Sequence, residues 1–280
     1  MTDEPTISIR IDDRLDDYAP LFDQRWADQI TNLAAESKLS EPVSTLLLNW
    51  RAAANACSMP WLLVHSLKSR WAGFLQTQQP FSERVVKALG NRLSDEMGES
   101  LSHAKQRKLA EAIERIGQEV HEQAGESARS RYDVESLWQA LLEDGEFQVA
   151  LWGSQRIGYG SIYHSYENFV RDCIGVALGK SEYRGQKIRT LVRDATVAFG
   201  KRTADHCLAS RPVRIARLVR NALAHKGGKE TRQLKDYTHD LVVENGVTQI
   251  LAADTRKLLD GLKGRALRLV KKAVTLPNVR

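Results

Sequence analysis

Apolar positions recur at helical spacing through most of the chain, and this pattern predicts an all-α protein. From Glu41 to Gln76 the apolar residues repeat every three or four positions, with Pro60 placed where a second helix begins. Pro80 precedes "FSERVVKALGNRLSDEMGESL", and "HAKQRKLAEAIERIGQEVHEQAG" predicts a charged amphipathic helix ending near Gly125. The run "GESARSRYD", residues 125–133, is small, polar and free of large aliphatic side chains, so it reads as a linker. Asp133 then suits the N-cap of "VESLWQALLEDG". A long helix is expected within 146–179, ending at Gly179, followed by helices at 185–200 and 201–209. The first twenty residues read as extended or irregular.

The stretch "RPVRIARLVRNALAHKGG", residues 211–228, carries the most information. Ser210 and Pro212 open a helix and Gly227-Gly228 stop it. At ~100° per residue, Ile215, Leu218, Val219 and Ala222 form a core stripe about 100° wide. Arg214, Arg217, Asn221 and His225 form a polar stripe beside it. Arg220 falls ~140° from His225, so on an ideal helix the two do not meet at one atom. Either the last turn loosens or a second copy of the chain brings them together. After the helix, "LVVENGVTQIL" predicts a two-residue hairpin at Asn245-Gly246, and a basic amphipathic helix closes the chain. The expected organisation is an N-terminal helical region, residues 1–130, and a helical bundle with a small hairpin, residues 131–280.

Charge sharpens this division. The net charge is +6, but residues 1–130 hold 15 Lys+Arg against 19 Asp+Glu, and residues 131–280 hold 26 against 16. The C-terminal half is thus the part suited to a polyanion. Three cysteines, Cys57, Cys173 and Cys207, fit reduced thiols better than a disulfide framework. The acidic start lacks the apolar core of a signal peptide, and "LLLNWRAAANACSMPWLLV" is broken by Arg51, Asn55 and Pro60, short of the ~20 apolar residues of a membrane span. A cytoplasmic protein without membrane partners is expected.

Near neutral pH an imidazole can move the proton of a ribose 2′-hydroxyl or of a leaving oxygen, and a guanidinium can hold a phosphate with a planar fork. Such chemistry requires no metal and no cofactor, because the ribose supplies the nucleophile. The histidines outside the motif show no pairing suited to a metal. "GSQRIGYGS" lacks the Lys-Ser/Thr of a phosphate-binding loop and is discounted as a nucleotide site. Tyr163 and Tyr166 are read as core rather than base-stacking residues, and Trp50, Trp61 and Trp71 as packing.

"VRNALAHKGG" resembles the Arg-Asn-x-x-x-His signature of the HEPN superfamily, all-α proteins whose active members are metal-independent ribonucleases of toxin-antitoxin, antiviral and RNA-processing systems. The aromatic-acidic "YENF" on an earlier long helix and the late hairpin agree with it, over about 150–275. The resemblance implies that Arg220 binds the scissile phosphate, His225 transfers a proton, Asn221 orients the histidine or the helix end, and Glu167 faces the motif. It also implies a homodimer whose two motifs line one cleft, acting on RNA, with an antitoxin or regulatory protein as a further partner. Arg211, Arg214, Arg217 and Lys226 are candidates for RNA contact; a solvated basic face is the alternative. The competing reading is a catalytically silent module in which Arg220 simply pairs with Glu167, Glu167 pairs with Arg171 at i,i+4, and His225 favours the helix dipole.

Overall fold

The structure is a computed structural model that describes residues 9–70, 87–88, 90–92, 95–96, 102–131, 133–180, 183 and 187–279. Its helices are α1 (Gln24–Ala34), α2 (Ser40–Cys57), α3 (59–70), α4 (His103–Arg131), α5 (Val134–Leu142), α6 (Gly145–Ala177) and α7 (Ile188–Phe199). There follow α8 (Lys201–Ala204), α9 (Arg211–His225), α10 (Arg232–Lys235) and α11 (Ala252–Ala273). Strands β1 (Val243–Glu244) and β2 (Val247–Thr248) pair antiparallel before α11. The protein is therefore all-α with a small hairpin near its C-terminus. No helix among the described residues is long and apolar enough to cross a membrane.

Two compact units form, one of Met1–Trp61 with Asp144–Arg280 and the other of Leu62–Glu143. This differs from the division expected near residue 130: α1 and α2 belong with the C-terminal helices. The reason lies in side-chain burial. α2 sends Val43, Leu46, Trp50, Ala54 and Cys57 into the same core as Ile162, Tyr166 and Val170 of α6. Trp50 is fully buried, stacks on Trp26 at 5.4 Å between ring centroids and donates its indole N–H to the carbonyl of Ile162 at 3.0 Å.

The second unit contains α4 and α5. Residues 125–131 of the expected linker are helical instead, since α4 runs unbroken to Arg131. A lone glycine costs a helix interior only about 1 kcal/mol, and here Gly125 lies among the good helix formers Glu126, Ala128 and Arg129. Asp133 does cap α5, accepting from the backbone N–H of Ser136 at 2.8 Å. Most of the helix expected after Pro80, together with Trp71 and the end of the 41–76 pattern, lies outside the described residues.

α6 is the axis of the first unit. Asp144 caps it by accepting from the N–H groups of Glu146 and Phe147 at 2.8 and 3.1 Å. From Gly158 onward its buried face holds Tyr159, Ile162, Tyr163, Tyr166, Phe169, Val170, Cys173 and Ile174. α2, α9 and α11 all pack on it. Glycine at 158 is what admits α2, because a Cβ built there would stand 2.0 Å from Cys57 Sγ.

α9 departs from the expected stripe. Its buried residues are Val213, Ala216, Val219 and Ala222, while Ile215 and Leu218 are only half-buried. These four span ~180° of the helix rather than about 100°. The arc is wider because α9 meets α6 as well as α10 and the π-helical turn Asp205–Ala209 that precedes it. Arg220 lies within that wider arc, so its stem points at the protein interior. The turn Asn245-Gly246 forms the predicted hairpin, both residues having positive φ, 50° and 74°.

The Gly158 contact is testable. Gly158→Ala is expected to destabilise the fold by about 1–3 kcal/mol through overpacking. Adding Cys57→Ala, which removes the clashing sulfur, should recover part of that loss. Denaturant midpoints of the two single variants and the double variant measure the coupling.

Candidate functional site

A cleft of about 520 Å³ opens between the N-terminal half of α6 and the C-terminal turns of α9. Gly153, Gly160 and Ser161 of α6 line it without large side chains, and Trp152, Ile157, Leu223 and Ala224 supply apolar surface. Its charged and titratable groups are Arg156, His164, Arg220 and His225. Arg220 and His225 thus face one space although α9 stays helical through His225. Arg220 reaches it from the inner arc of α9 and His225 from the exposed end.

Arg220 is not free. It forms an ion pair with Glu167, which also meets Arg171 at 3.3 Å. The Glu167 side chain is 8% exposed, and those of Arg220 and Arg171 are 21% and 23% exposed. Burying a carboxylate this deeply is costly unless it is paired, and two guanidinium groups pair it here. The Arg220 guanidinium carbon also lies 5.9 Å from the centre of the Tyr163 ring, and its Nε is buried with no hydrogen-bond partner among the described residues. Burial, reinforced by the Glu167 charge, pushes the Tyr163 phenol well above its ordinary range, so it stays neutral. Tyr166 is buried beside it and donates to the carbonyl of Cys207 at 2.9 Å.

A polar ridge runs along α6 from the cleft to this pair. Asn168 Nδ2 lies 3.1 Å from His164 Nε2, and Arg171 donates to Asn168 Oδ1 at 2.8 Å. The spacing of His164, Asn168 and Arg171, four and then three residues, stacks them on one face of the helix. Spacing of this kind is readable in sequence, yet His164 draws no notice when histidines are screened only for metal pairing. Arg156 is the other addition: it lies in "GSQRIGYGS", which is neither a loop nor a phosphate cradle but the helical wall of the cleft.

The remaining candidates are placed apart. Asn221 is half-buried and does not line the cleft; its side chain makes no hydrogen bond among the described residues. Lys226 is exposed just beyond His225. Arg217 is half-buried and its charge is felt by the Tyr163 phenol, while Arg214 is exposed. Arg211 donates to the carbonyl of Thr238 at 2.7 Å and lines a different hollow against α11, about 20 Å along the helix from His225. Neither a family model, nor a curated protein, nor a solved structure matches this chain.

Two outcomes follow from the geometry. A Cβ at Gly153 or Gly160 would meet nothing within 4 Å, so Gly153→Ala and Gly160→Ala are each expected to stabilise the helix by about 0.5–1 kcal/mol, read from thermal or denaturant unfolding. Glu167→Gln removes the charge that both arginines share and should cost about 1–3 kcal/mol. Arg171→Ala, at the more exposed end, should cost less; equal losses would show that the carboxylate is not the centre of the network.

Proposed function

We propose that the protein is a metal-independent endoribonuclease of HEPN type that cleaves single-stranded or looped RNA at the α6–α9 cleft. The observation that carries this reading is the arrival of Arg220 and His225 at one cleft, despite their ~140° separation around an ideal helix. The basic character of residues 131–280 and the position of Glu167 opposite the motif add support.

In the reaction, the 2′-oxygen bonds to phosphorus as the P–O5′ bond breaks. A proton leaves the 2′-hydroxyl and another reaches the 5′-oxygen, giving 2′,3′-cyclic phosphate and 5′-hydroxyl ends. His225 carries one of these protons. Arg220 exchanges part of its contact with Glu167 for the phosphate and offsets the charge that develops there. The second carrier is His225 of another copy in a homodimer whose two motifs share the substrate. Arg214, Arg217 and Lys226 provide the basic approach. Such a protein suits a cytoplasmic toxin or antiviral role held in check by an antitoxin or regulatory protein.

The pairing of Arg220 with Glu167 favours a second reading, a catalytically silent module that binds RNA or a protein partner. In that case the guanidinium is a structural cation, neutralised within the chain. Incubation of purified protein with RNA in EDTA separates the readings. The nuclease is expected to leave cyclic phosphate ends, and His225→Ala to lower the rate 10²- to 10⁴-fold with folding unchanged. RNA that remains intact with correctly folded full-length protein, as monomer and as dimer, would sink the nuclease reading in favour of the silent one.

A further inference from the structure

The turn that follows His225 is held from outside its own helix. Arg156 of α6 donates from Nη2 to the carbonyl of Gly227 at 2.7 Å, and its guanidinium carbon lies 4.0 Å from the centre of the Trp152 ring. Trp152 is itself fixed, since its indole N–H donates to Oε1 of the fully buried Gln249 at 2.8 Å. Gly228 is buried with φ +85°, and a Cβ there would stand 2.4 Å from Arg156 Nη2. The positive φ is what calls for glycine at this position, and a Cβ there would also displace the arginine laid against it. On its other side the turn is tied by the N–H of Gly228 to the carbonyl of Ala222 and by the N–H of Thr248 to the carbonyl of Gly228.

Arg156 therefore joins three parts that the chain order keeps apart: the cleft wall on α6, the turn at the end of α9 and, through Trp152 and Gln249, the hairpin. A lysine would do this less well, because it lacks the planar face that stacks on an indole while a separate N–H reaches the carbonyl. His225 is two residues before Gly227 and makes no side-chain hydrogen bond among the described residues, so its placement depends on the backbone that Arg156 holds.

We propose that Arg156 is a positioning residue for His225: stacked on Trp152 and bonded to Gly227, it locks the turn that aims the imidazole into the cleft. The kinetic part of this inference rests on the nuclease reading; the structural part does not. A misplacement on the scale of 1 Å is enough to cost a reaction about 10²-fold.

The test uses the full-length chain with Arg156→Ala, Arg156→Lys and Trp152→Phe. On RNA, both Arg156 variants are expected to lower kcat about 10- to 100-fold with KM changed less than about threefold, and lysine is not expected to rescue. Trp152→Phe, which keeps an aromatic face, should be milder. A rise in KM with kcat unchanged would overturn the proposal, because Arg156 would then be a substrate contact. Amide ¹⁵N relaxation at 225–229 and the His225 ring signals serve whether or not RNA is cleaved. Lost order at Gly227–Lys229 and shifted His225 signals in Arg156→Ala support the lock, and unchanged relaxation and signals in that variant refute it. If the wild type leaves RNA intact while the relaxation arm responds, the nuclease reading fails and the lock stands.

Discussion

A helix buried on several sides cannot leave its polar groups to solvent, and α6 imposes that constraint on everything around it. Its 33 residues extend about 50 Å, and α2, α9 and α11 all lie against it. Each polar group on its inner faces therefore needs a partner from another element. Gln155 donates to the carbonyl of Cys57 and accepts from Thr255 of α11; Tyr166 donates to Cys207; Glu167 takes Arg220 from α9. These contacts set the register of three helices on one, and apolar packing fills the space between them.

The candidate site is a by-product of the same arrangement. Glu167 has to be neutralised, and this draws Arg220 across the core-facing arc of α9 until its guanidinium reaches the cleft. That arginine is held by a carboxylate, so under the proposed nuclease reading a phosphate competes with Glu167 for it. The pair keeps the guanidinium oriented and at the same time reduces its net charge, which is why one contact supports both a catalytic and a silent reading. The imidazole of His225 is held differently, by its backbone. Its exposed end of α9 is steadied by Arg156, Gly228 and the hairpin.

What was legible in the sequence was local. The cap at Asp133, the hairpin at Asn245-Gly246, the start of α9 after Ser210 and its stop at Gly227-Gly228 each depend on a few neighbouring residues whose backbone preferences act alone. Residues 125–131 continue α4 instead of forming a linker because the helical residues on both sides outweigh one glycine and two serines. The core stripe on α9 is wider than a helical projection implies, because a projection assumes one neighbour and this helix has several. Arg156 and His164 gave no signal of their own, since an arginine beside a glycine and a lone histidine have many uses on a helix.

The sequence by itself determined the helical class, the main helix ends and the six-residue motif with its basic surroundings, because period, capping and charge are properties of short segments. Only the tertiary structure decided that α1 and α2 share a core with the C-terminal helices, that Glu167 captures Arg220, and that Arg156 secures the turn after His225. Each of those outcomes depends on burial, which forces charged and hydrogen-bonding groups from distant parts of the chain to find one another, and no local pattern records which partner is chosen.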